Sequence, residues 1–306
     1  MPDRHVIVGA GPVGRHVAAL LAERGSGVAL VSRSGTDTGI AGVEHVAADA
    51  TDADGLTEVT TGAAVLYNCA NPRDYTKWMK EWPPLASAMF AAAELSGATY
   101  VITGNLYPYG PLDEPMTESH PDVATDKKAR LRAGMWADAL AAHEAGRVLV
   151  VEVRGADYVG PGVGENGHVT RHLAALKAGK RAWVIGSADQ PHSWTDVGDM
   201  ARALVAAAED ESAHGRIWHA PTNVPRSQRQ ALGDVARAGG FPEPKVSALP
   251  GPLLAVGALV VPLAREVHEL SYQWTRPYVL DDTASRAHFG LEPTPWDEVC
   301  RRTAAG

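Results

Sequence analysis

The sequence predicts an α/β fold, a doubly wound parallel sheet with a smaller, interleaved C-terminal region. Short β-branched runs alternate with helical stretches, the first run enters a glycine-rich turn, and the texture changes after Gly160. The runs His5–Val8, Val28–Ser32, Ala64–Asn68, Tyr100–Gly104 and Val148–Arg154 read as strands. Between the first two, Val13, Val17, Leu20 and Leu21 follow the spacing i, i+4, i+7, i+8 of a helix that Gly25 ends. No period of about 20–50 residues repeats, which excludes a solenoid. Past Gly160, Pro161, Gly162, Gly164 and Gly167 crowd together, and shorter elements follow. Arg181–Ile185 and Arg216–Ala220 read as strands with a helix over Asp196–Ala208 between them. The expected division is a dinucleotide-binding domain over residues 1–160 and a mainly substrate-binding region over 161–306, of which about 181–222 returns to the first sheet.

Composition narrows the partners. The 306 residues hold 28 Lys and Arg against 36 Asp and Glu, a net charge of −8, so neither nucleic acid nor an anionic membrane is expected. Cys69 and Cys300 are the only cysteines and lie far apart, which suits a reducing cytoplasm. Met1–Val8 lacks the pattern of a signal peptide. The apolar run Pro250–Ala264 is 15 residues long, too short to span a bilayer. The histidines suggest no metal site; His168 and His172 would share a helix face and are expected at the surface.

The strongest local signal is the strand His5–Val8 followed by Gly9, Gly11, Pro12, Val13 and Gly14, a GxGxxG turn opening a helix as in a Rossmann-type domain. Such glycines allow a tight turn and close approach of a pyrophosphate, and the helix N-terminus favours the anion. An acid that would hold a ribose 2′-hydroxyl is missing at the end of the second strand, where Ser32, Arg33 and Ser34 stand instead. A guanidinium between two hydroxyls suits a 2′-phosphate, so NADP(H) is the expected cofactor.

With these residues the chain resembles an extended short-chain dehydrogenase/reductase of the NAD-dependent epimerase/dehydratase family over nearly its whole length. Asp49-Ala50 resembles the pair that meets the adenine, and Asn68 with Cys69, Ala70 and Asn71 resembles the strand end lying along the cofactor. Tyr109-Gly110-Pro111, Arg154 with Gly160-Pro161-Gly162, and Trp194 through Asp199 match further family segments. The resemblance implies a catalytic Ser, Tyr and Lys. At the corresponding positions this chain has Asn105, Lys128 and Arg132. An Asn amide can donate to a carbonyl oxygen, and Arg can keep the ribose and charge role without titrating. Lys128 would act as an acid only with a strongly lowered pKa. Tyr109, Tyr107 and Tyr158 are neighbouring hydroxyls that could contact substrate.

The expected function is therefore a cytoplasmic NADPH-dependent ketoreductase of antibiotic biosynthesis, acting without the usual triad on a bulky polycyclic, polyketide-type ketone, possible as a homodimer. Alternatives are a catalytically silent NADP-binding sensor, similar to NmrA-like proteins, and a nucleotide-sugar epimerase or dehydratase. Pro250–Ala264 could be a lid, a core helix or an interface.

Overall fold

A computed structural model describes residues 3–72, 74–249, 265–266 and 269–306. Its centre is a seven-stranded, all-parallel sheet. The strands are β1 (Arg4–Val8), β2 (Gly27–Ser32), β3 (Val43–Ala47), β4 (Val65–Asn68), β5 (Thr99–Asn105), β6 (Val150–Gly155) and, from much later in the chain, β10 (Ile217–His219), in the order β10-β6-β5-β4-β1-β2-β3. Strands buried on both faces need apolar side chains at nearly every position, which is how β1, β2 and β6 read. Alternate residues serve opposite cores. Val6, Val8, Ala29, Val31, Leu66, Ile102 and Val150 point to one core. Ile7, Leu30, Tyr67, Val101, Val151 and Val153 point to the other.

Helix α1 (Pro12–Glu23) covers the second core with Val13, Val17, Ala18 and Leu21, packed on α6 (Val197–Glu209). Helices α2 (Ala53–Thr60), α3 (Trp78–Ser96) and α4 (Lys127–Glu144) cover the first. Aspartates start three of these helices: Asp52, Asp126 and Asp196 each accept backbone N–H bonds in the first turn.

The return to the main sheet begins later than the sequence suggests. The run at 181–185 forms β8 (Ala182–Val184), which pairs not with the main sheet but with β11 (Val246–Ala248). Ala182 and Val184 are buried in the separate core they share with α5 (Leu173–Lys177), α7 (Gln228–Ala238) and the last helix, and this core holds the strand apart from the large sheet. Helix α6 packs on the first sheet and β10 joins its edge. A second small sheet joins β7 (Asp157–Val159) to β9 (Trp194–Asp196). The chain ends in α8 (Tyr272–Thr275), α9 (Thr283–Phe289) and α10 (Trp296–Ala305). The segment Pro250–Ala264 lies outside the described residues. Among the described residues, no helix is long and apolar enough to cross a membrane.

Candidate active site

The sheet order reverses at β1, with β2 on one side and β4 on the other, so the carboxyl ends of β1 and β4 flank the crevice where open α/β sheets bind ligands. Two glycines are required there by close approach. Gly9 has φ +113°, and a Cβ on it would stand 2.6 Å from the Cys69 carbonyl carbon. A Cβ on Gly14 would lie 1.9 Å from the Gly9 oxygen. At Gly11 a Cβ would meet nothing within 4 Å, which leaves this turn open to a ligand. Gly11 is also the N-cap of α1, no side chain caps the helix, and Pro12 fills its first turn, so the positive end of the helix is available to an anion. Val13 and Gly14 are buried behind it. These features fit a dinucleotide pyrophosphate.

At the outer end of this crevice Arg33 and Ser34 are exposed and Ser32 is half-buried. The Ser32 hydroxyl accepts the Gly35 N–H at 3.1 Å, and the Ser34 hydroxyl meets that of Thr36 at 2.7 Å, which shapes a hydroxyl-lined turn around Arg33. Asp49 accepts the Thr51 N–H and hydroxyl, and these bonds hold its carboxyl below its usual value, with a further contribution from Arg33. Ala50 packs half-buried against the first core. Cys69 and Ala70 are half-buried and Asn71 is exposed. Burial pushes the Cys69 thiol up to about 12, and it accepts the Thr103 hydroxyl at 3.6 Å, so it stays a neutral thiol in the physiological range.

Asn105 ends β5 in register with Gly155, at the carboxyl edge of the sheet. Its Oδ1 accepts the Tyr107 N–H at 3.1 Å, which turns Nδ2 into a pre-oriented donor. Lys128 and Arg132 are four apart in the first turns of α4, and both are buried. The Lys128 ammonium is paired with Glu266 and, at 2.8 Å, with Glu269. Arg132 donates to the Thr103 carbonyl at 2.6 Å and lies over the Trp82 ring at 4.7 Å. Burial lowers its pKa, and the nearby Glu152 opposes this. Tyr158 packs half-buried against the second core, and its buried hydroxyl has no partner among the described residues.

Tyr109 is fully buried, beneath the Arg154 guanidinium at 4.6 Å, and its hydroxyl donates to His219 Nε2 at 2.9 Å. The other ring nitrogen of His219 donates to the Asp281 carbonyl at 2.7 Å, so the histidine is neutral and Nε2 is the acceptor. Burial pushes its pKa down to about 3 from 6.5. Between those values the folded chain binds fewer protons than the unfolded one, so this group makes stability fall as pH drops. Wild type should therefore lose up to about 1.4 kcal/mol per pH unit more than His219→Gln below about pH 6. Parallel denaturation curves at neutral and acidic pH would refute this.

The structure also brings together residues that no spacing in the sequence connects. Asp157, at the start of β7 just beyond β6, meets His192, His168 and Trp274. His168 is not on the surface as expected: its ring packs on Trp274 at 4.3 Å, and burial lowers its pKa to about 4. His172 is half-buried rather than surface-exposed. His168 is turned inward against Trp274 of the C-terminal chain, a contact outside the reach of helix-face reasoning. Tyr75 and Tyr107 share a hydroxyl contact of 3.0 Å beside this group, and Tyr107 stacks towards Trp78 at 6.1 Å. Position alone, at the carboxyl edge of β6, was the one signal for Asp157. Among the described residues, no cluster of His, Cys, Asp or Glu side chains could hold a metal ion.

The family model described as the NAD dependent epimerase/dehydratase family matches residues 5–220. Among solved structures, the chain is similar to the Bordetella bronchiseptica enzyme WbmH in complex with NAD+, at 21% identity and TM-score 0.76, covering 100% of this chain and 98% of that one. It is similar to UDP-glucose 4-epimerase with UDP-glucose from Thermotoga maritima, at 16% identity and TM-score 0.79, over 99% of this chain and 97% of that one. It also resembles DesIV, a dTDP-glucose 4,6-dehydratase double mutant from Streptomyces venezuelae with NAD bound, at 17% identity and TM-score 0.78, over 99% and 96% of the two chains. Among curated proteins no sequence matches this chain.

Proposed function

Because the chain belongs to the NAD-dependent epimerase/dehydratase family, we propose that it is an NADP(H)-dependent ketoreductase of bulky aromatic ketones that works without a tyrosine acid. The observation that carries the reading is the state of the two positions facing the reacting carbonyl. Asn105 offers a fixed amide donor, whereas Lys128, where the family's tyrosine would stand, has its ammonium held by two carboxylates. Such a site stabilises a developing oxyanion and supplies no proton from the usual place. A dinucleotide held along these residues would supply the hydride. Asn105 Nδ2 donates to the carbonyl oxygen, Arg132 keeps a permanent positive charge behind it, and the rings of Tyr75, Tyr107, Trp274 and Tyr278 favour an aromatic ligand. A phenol on the substrate, hydrogen-bonded to the ketone, then gives its proton to the alkoxide oxygen. A methylated analogue should react far more slowly, and an equal rate would sink this step.

Cofactor choice is tested separately. Arg33 with Ser32 and Ser34 supports NADP(H), held through charge-assisted bonds to the 2′-phosphate, with Gly9, Gly11, Pro12, Val13 and Gly14 at the pyrophosphate, Asp49 and Ala50 at the adenine, and Cys69, Ala70 and Asn71 along the nicotinamide half. Arg33→Ala should weaken NADPH by about tenfold to a hundredfold and leave NADH nearly unchanged. Equal affinities of wild type for the two cofactors would overturn the assignment. A nucleotide-sugar epimerase or dehydratase is the second reading, favoured by the substrates named for similar folds.

A further inference from the structure

The Asp157 cluster has a polarity that bears on what the cleft can hold. Oδ2 of Asp157 accepts the Trp274 Nε1–H at 3.1 Å and lies 3.0 Å from His192 Nε2 and 4.0 Å from His168 Nε2. Oδ1 makes no hydrogen bond among the described residues, and the side chain keeps 16% of its surface open. His192 is itself fixed, its Nδ1 donating to the Gln273 carbonyl at 3.1 Å and its ring lying 5.2 Å from Tyr278 and 4.5 Å from Trp194. Burial alone would raise the Asp157 pKa, but the histidines and the indole N–H outweigh it and hold the carboxyl well below its usual range.

The cations nearby are already engaged. Arg171 donates to the Gly167 and Asn166 carbonyls at 3.1 and 3.3 Å, and Arg132 to the Thr103 carbonyl. The remaining walls are aromatic: His168 on Trp274, and the Tyr75–Tyr107 pair whose acidity the Asp157 charge further weakens. A half-buried anion with one unused oxygen, set among rings, attracts a hydroxyl and repels a diphosphate.

We infer that this cleft selects an uncharged aromatic ligand whose hydroxyl donates to Asp157 Oδ1, and that the same carboxylate closes it to nucleoside diphosphate sugars. The inference rests on the proposed reading that substrate lies in this cleft and adds the identity of its anchor. Asp157→Asn keeps the shape of the side chain and an oxygen for the indole N–H while removing the charge. Calorimetric titrations of UDP-glucose, 1-naphthol and 1-methoxynaphthalene into the NADPH-saturated wild type and variant test it. Wild type should bind 1-naphthol about tenfold more tightly than its methyl ether, and the gap should narrow in Asp157→Asn. UDP-glucose should gain about tenfold or more in the variant over wild type. Micromolar UDP-glucose binding by wild type, an unchanged UDP-glucose affinity in the variant, or equal binding of the naphthol and its ether overturns the inference. A protein with this selectivity that oxidises no NADPH with any polycyclic ketone refutes the proposed reaction and leaves the inference standing.

Discussion

Arg154→Ala should lower the unfolding free energy by about 3–5 kcal/mol, the cost of stranding a buried charge. Arg154 has no exposed surface and Glu152 has 1%. The guanidinium grips both oxygens of Asp122 at 2.6 and 2.9 Å, bonds Glu152 at 3.0 Å, and covers Tyr109. Burial already raises the Glu152 pKa, with Arg154 opposing it, so the variant should also protonate Glu152 more readily. Urea denaturation measures the loss, and the paired variant Arg154→Met with Glu152→Leu should recover part of it because the buried Glu152 carboxylate is no longer left unpaired. A loss in Arg154→Ala below about 1 kcal/mol, the range of an exposed pair, would show that the cluster is solvated after all.

Asn105→Ala is expected to cut kcat by roughly a hundredfold to a thousandfold, as removal of one oxyanion donor does. The amide is neither acid nor base near neutrality, so the pH profile of the residual activity should keep its shape. An ionisation lost from the profile would give Asn105 a different role. Lys128→Gln provides the contrast. Its ammonium is spent on Glu266 and Glu269, so the rate should stay near wild type while stability falls. A collapse of the rate in a folded variant would return Lys128 to the mechanism.

Much of this site is local in the chain and was therefore legible. GxGxxG after a β-branched strand calls for its conformation within six residues, and Gly9 and Gly14 meet the Cys69 peptide and each other as that motif demands. The missing acid after β2 and the pairing of Lys128 with Arg132 four residues on, one helical turn, are likewise properties of short segments. What sequence alone could not supply is each side chain's partner. Tyr109 looked like a spare hydroxyl until His219, 110 positions away, took it. His168 looked like a surface residue because its helix face says nothing about Trp274, which arrives from the C-terminal chain.

The same division holds for the fold. The alternation of apolar runs and amphipathic helices determined a doubly wound parallel sheet, because strands buried on both faces and helices of 3.6-residue period leave that pattern in the residues themselves. Which sheet a short strand joins was decided only in three dimensions. Ala182–Val184 and Ile217–His219 are both three residues long and both mostly apolar, yet one pairs with β11 and the other with β6. Three residues carry too little periodicity to choose a partner, so the choice falls to the core that buries them. Asp157 belongs to the same class: its charge is written in the sequence, but its meaning comes from two histidines and an indole that only packing could bring within reach.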